Sequence, residues 1–73
     1  MNCIDCGLDT ATAGECYMVH SRLWLAAGME PWGGYLCVGC LEARLRRKLE
    51  PGDFTDSLLN RLSASPRLMS RRR

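Results

Sequence analysis

Cys37-Val38-Gly39-Cys40-Leu41-Glu42-Ala43-Arg44-Leu45-Arg46-Arg47-Lys48-Leu49 joins a cysteine pair directly to an amphipathic run, and its reading decides the fold. Val38, Leu41, Leu45 and Leu49 recur at helical spacing, while Arg44, Arg47 and Lys48 fall on another face. The spacing predicts a helix over 41–49, stopped by Pro51-Gly52. Cys40 opens that helix, where the helix N-terminus favours a thiolate over a thiol.

The same spacing occurs upstream in Cys3-Ile4-Asp5-Cys6-Gly7, with thirty residues between Cys6 and Cys37. A two-residue gap lets both sulfurs of a pair turn toward one ion, and two pairs supply the four thiolates of a tetrahedral structural site. Gly7 and Gly39 are free to take positive φ and so aim backbone N–H groups at the sulfurs. Cys3, Cys6, Cys37 and Cys40 are therefore the candidate ligands of one structural Zn²⁺, with iron as the rival that accepts the same donors. Five cysteines leave one over in any disulfide scheme, and the N-terminal stretch has neither a basic region nor an apolar segment of a secretory signal. The expected compartment is a reducing cytoplasm. Cys16 and His20 are four apart, but with one histidine and five cysteines the chain lacks the ligands for a second four-donor site. Cys16 is expected as a small buried residue and His20 as a neighbour of Trp24.

A chain of 73 residues builds one core, and with only five aromatic residues it needs a staple beyond hydrophobic burial. No apolar run approaches the roughly 20 residues that span a bilayer, so no membrane association is expected. The net charge of +2 divides unevenly: residues 1–43 carry one base against five acids, and residues 44–73 carry nine bases against three. An acidic head and basic tail point to a polyanionic partner for the tail. Between the cysteine pairs, Tyr17 and Val19 favour a short strand, residues 21–27 a short helix ended by Gly28, and residues 29–34 a loop broken by Pro31 and Gly33-Gly34. After Pro51, Asp53 or Thr55 can cap a short helix carrying Phe54, Leu58 and Leu62. From Ser63 the composition turns to Ser, Pro and Arg and predicts a flexible basic extension. The expected organisation is a zinc-binding domain over 1–50 and the short helix with its extension over 51–73.

A cysteine knuckle at 3–7 followed by a second pair, Cys37-Val-Gly-Cys40, whose last cysteine opens a helix resembles the treble-clef zinc fingers over residues 1–50. The resemblance implies an α+β domain made of a zinc knuckle, a short β-hairpin and a C-terminal helix. The helix at 21–27 is an insertion into that plan. Tyr17-Met-Val-His20 and Gly33-Gly-Tyr-Leu-Cys-Val-Gly-Cys-Leu-Glu-Ala-Arg44 are similar to small, functionally uncharacterised zinc-binding proteins of actinobacteria and their phages, a similarity that implies no mechanism.

Treble-clef nucleases of the His-Asn-His type place histidines on the hairpin and helix. Here the helix after Cys40 has no histidine or asparagine, and four sulfurs leave a zinc ion no open position. A non-catalytic binding module is expected. Its first candidate partner is nucleic acid or a nucleoprotein complex, contacted by Arg44, Arg47 and Lys48 on the helix and by Arg71, Arg72 and Arg73 in the tail. The alternative is an adaptor or regulatory protein that engages a larger protein through Met29 and Trp32 in the loop. No heptad seam defines an oligomeric state.

Overall fold

The computed structural model describes residues 2–30, 33–57, 60 and 65–72. Three α-helices are described: α1 (Ser21–Ala26), α2 (Val38–Leu45) and α3 (Pro66–Arg72), with a 3₁₀ turn at Pro51–Asp53 between the last two. Gly28, at φ +79°, ends α1 as expected, and the Gly28 and Met29 N–H groups close onto the carbonyls of Leu25 and Trp24. Helix α2 stops four residues short of the expected end. Arg46 turns left-handed (φ 60°), and the Glu42 side chain reaches forward to accept the Leu49 N–H at 2.7 Å. Leu49 is still buried, although it lies beyond the helix.

The expected β-hairpin is not formed among the described residues. Pairing is limited to three isolated bridges, Asn2 with Asp9, Cys3 with Tyr35 and Val19 with Phe54. The reason lies in the segment that was to form a strand. The Tyr17 N–H donates to the Tyr35 hydroxyl at 2.6 Å, and that hydroxyl in turn donates to the Tyr17 carbonyl. The next residue is served by an amide: Met18 N–H donates to Asn60 Oδ1 (2.7 Å), and Asn60 Nδ2 donates to the Met18 carbonyl (2.9 Å). Side chains thus satisfy the backbone groups that a strand partner would have needed.

The core gathers Tyr17, Val19, Leu23, Trp24, Met29, Tyr35, Leu36, Val38, Leu41, Leu49 and Leu68 around the buried cysteines. Tyr17 packs against Trp24, Tyr35 and Phe54 with ring centroids 5.4–6.2 Å apart, a spacing at which aromatic pairs attract beyond simple burial. Leu68 is fully buried. Residues 66–72 therefore depart from the expected flexible extension: α3 inserts Leu68 into the core and pairs Arg67 and Arg71 with Glu15 and Glu42 of the preceding chain. Phe54, expected in a helix, is extended and bridges Val19, while Leu58 and Leu62 lie outside the described residues. Among the described residues, no helix is long and apolar enough to cross a membrane.

Candidate metal centre

The first loop turns tightly because Gly7, at φ +80°, lets its N–H return to the Cys3 carbonyl at 2.9 Å. Cys3 N–H bonds the Leu8 carbonyl, and Ile4 N–H bonds the Tyr35 carbonyl, so the loop is laid against the segment that leads into α2. Cys37 and Cys40 flank the start of α2. The four sulfurs of Cys3, Cys6, Cys37 and Cys40 all lie within 4.8 Å of one another, with Cys6 and Cys37 3.8 Å apart. Tetrahedral thiolates at about 2.3 Å from a shared ion stand about 3.8 Å from each other, so the donors already have the spacing of a single four-coordinate site. The four cysteines are positioned to bind one metal ion. No disulfide joins any two cysteines among the described residues.

The electrostatics of the cluster favour a cation. Burial alone would push the Cys3 thiol up, but hydrogen bonds from the backbone of Cys37, Cys6 and Asp5 outweigh it and hold the group at about 6. Burial and the neighbouring cysteines push Cys37 and Cys40 the other way, above the ordinary thiol range. Cys40 lies in the first turn of α2 and faces three other sulfurs. Four thiolates at this distance repel one another, and a divalent ion among them removes the conflict.

Cys16 and His20 do not join the cluster. Cys16 is half-buried, with its sulfur 3.9 Å from the Thr10 hydroxyl oxygen, and His20 N–H donates to the Asp53 carbonyl. Trp24 is buried, and so is Met29, which removes Met29 from an exposed adaptor patch; Trp32 lies outside the described residues.

Three of the six cations assigned to phosphate contact already hold carboxylates. Arg44 forks onto Asp5 at 2.8 and 2.6 Å and caps the Ala27 carbonyl at the end of α1. Arg47 forks onto Asp53 at 2.8 and 3.2 Å, and Arg71 onto Glu42 at 2.7 and 3.1 Å. Lys48 is exposed, with no ion pair among the described residues; Arg72 lines an open cleft with Pro51, Phe54, Thr55, Asp56, Ser57 and Asn60; Arg73 is outside the described residues.

Sequence reasoning missed Glu15 and its pairing with Arg67, an arginine read only as one more basic residue of the tail. Glu15 is buried, and it accepts from Val38 N–H (3.1 Å), the Ser65 hydroxyl (2.7 Å) and the Arg67 guanidinium (3.0 and 2.8 Å). Burial works to raise its pKa, but the Arg67, Ser65 and Val38 donors prevail and hold it below the usual carboxylate range. The available signal was an acid directly before Cys16 and two arginines four apart around Leu68, a pattern that also suits a solvated helix face.

No protein-family model, curated protein or solved structure matches the chain.

Proposed function

We propose that this protein is a non-catalytic binding module of treble-clef type, held together by one zinc ion on Cys3, Cys6, Cys37 and Cys40. The observation that carries the reading is the 3.8 Å separation of the Cys6 and Cys37 sulfurs within a cluster of four. Thiolate donors at tetrahedral spacing suit zinc, and a coordination sphere filled by four sulfurs leaves no position for a substrate. The treble-clef reading rests on the turn closed by Gly7 and on the second pair at the first turn of α2. The hairpin of that plan is here replaced by the side-chain contacts of Tyr35 and Asn60.

The role of such a module is to present a surface. Arg44, Arg47 and Arg71 hold Asp5, Asp53 and Glu42, which leaves Arg46, Lys48 and Arg72 as the described cations near α2 and α3 for a phosphate backbone. That balance favours a protein partner over nucleic acid. Native mass spectrometry with metal analysis, repeated with a short duplex at two salt concentrations, tests both parts. One zinc and no duplex complex is the expected result. One zinc with a complex that dissolves steeply with salt would reinstate the nucleic-acid partner, since released counterions report phosphate contacts. Absence of zinc, with mass lost to disulfides, would overturn the reading.

A further inference from the structure

We propose that Arg67, on α3, is a positioning residue of the metal centre, which reaches across the first turn of α2 to orient and electrostatically balance the Cys37 side of the site. The inference rests on the metal-binding reading above and extends it to a residue far from either cysteine pair in sequence.

Gly39 supplies the geometric argument. It lies between Cys37 and Cys40, is helical, and does not use positive φ, so its lack of a side chain serves space rather than conformation. A Cβ at this position would stand 2.5 Å from Arg67 Nη1 and 3.2 Å from the guanidinium carbon. The guanidinium is therefore laid directly on the backbone that links the two cysteines. Its orientation is fixed from the other edge: Nε and Nη2 fork onto Glu15, leaving Nη1 turned toward the cysteine pair. A thiolate at Cys37, at the start of that turn, would offer this cation a counter-charge.

Glu15 completes the clamp. Its second role is to accept the N–H of Val38, the residue immediately after Cys37. The Cys37–Cys40 turn is thus held by Glu15 through its backbone and covered by Arg67 above Gly39. Ser65, whose hydroxyl also donates to Glu15 and whose N–H bonds the Gly14 carbonyl, anchors the start of α3 in register with this arrangement.

The chemistry explains why a cation belongs there. Four thiolates around a divalent ion carry a net charge of −2, and a fixed guanidinium beside one sulfur reduces that excess while restricting the ligand's orientation. A lysine could neutralise charge, but it cannot fork onto Glu15 and still present a further N–H in a fixed direction.

The test measures zinc affinity by chelator competition, and the absorption of the cobalt-loaded protein, in the wild type and in Arg67→Met, Arg67→Lys, Gly39→Ala and Arg71→Met. Loss of an outer-shell partner typically weakens metal binding about 10–100-fold. Arg67→Met is expected in that range, Arg67→Lys between it and the wild type, and the sulfur-to-cobalt charge-transfer band of Arg67→Met shifts to longer wavelength as the sulfur becomes more electron-rich. Gly39→Ala should weaken binding by displacing the guanidinium, and combining it with Arg67→Met should add little. Arg71→Met breaks an ion pair on the same helix away from Gly39 and should stay within about threefold of the wild type. Equal losses in Arg67→Met and Arg71→Met, or a wild-type affinity and spectrum in Arg67→Met, would overturn the positioning role while leaving the metal site standing. A wild type that takes up neither zinc nor cobalt would instead remove the site itself.

Discussion

The hydroxyl of Tyr35 sits between the two backbone groups of a single residue, Tyr17, accepting from its N–H and donating to its carbonyl. Tyr17 returns the favour one residue further on, donating its own hydroxyl to the Leu36 carbonyl at 2.8 Å. Burial raises both phenols well above their usual pKa, so they stay neutral hydrogen-bonding groups throughout the working pH range. Replacing Tyr35 by Phe keeps the ring and orphans two buried backbone groups. A loss of about 2–3 kcal/mol is expected in denaturant unfolding of the metal-loaded protein. A loss below about 0.5 kcal/mol would mean that Tyr17 finds other partners.

Metal removal should dismantle the fold. The sulfurs come from the turn at 3–7 and from the first turn of the short helix α2, so excess chelator at neutral pH should abolish the near-ultraviolet circular dichroism of the aromatic cluster and most helicity. Cys3→Ser should act in the same direction without chelator. Native-like signals in the chelated protein would show that the core stands without the ion.

Helix α3 should be integral to stability. Leu68→Ala removes a fully buried side chain and is expected to cost about 2–4 kcal/mol, whereas Leu25→Ala, on the exposed face of α1, should change stability by less than about 0.5 kcal/mol. Thermal unfolding of both variants checks the contrast. Equal behaviour would show that α3 is not docked.

Acid should loosen the same helix. Glu15 and Glu42 have carboxyls held below their ordinary value of 4.5, despite burial, by Arg67 and Arg71 respectively. A group whose pKa is lower folded than unfolded stabilises fully above the unfolded value and loses that contribution as pH falls through the folded one. The metal-loaded protein should therefore hold constant carboxylate-dependent stability above about pH 5.5 and lose it below. Protons competing for the thiolates add a separate loss of metal in acid. The variant Glu15→Gln/Glu42→Gln should be less stable at neutral pH, with a shallower decline in acid once metal release is measured in parallel. Parallel pH profiles for variant and wild type would contradict this account.

The cysteine pairs were legible because a ligand pair must satisfy its geometry over a few residues, and Cys3-x-x-Cys6 and Cys37-x-x-Cys40 do so locally. Helix α1 was legible through Gly28 for the same reason. What could not be read were relationships set at long range. Tyr17 and Val19 have the intrinsic preference of a strand, but Tyr35 and Asn60 intercept the backbone bonds a strand would make. The run 41–49 keeps its helical pattern of leucines although the helix ends at Leu45, because Glu42 finds a better use in the Leu49 N–H. Arg44 and Arg71 read as free positive charge, since no rule of spacing couples them to Asp5 and Glu42 across 39 and 29 residues.

The pairing of Glu15 with Arg67 spans 52 positions, Asn60 reaches back 42 to Met18, and Cys6 meets Cys37 across 31. Short helices form in under a microsecond, but contacts of this reach require large loops to close before any reward is collected. The rate at which this chain acquires its structure is accordingly governed by ring closure and not by its helix content. An ion captured early by the two cysteine pairs would tie off the first large ring and leave the arginine helix a smaller volume to search.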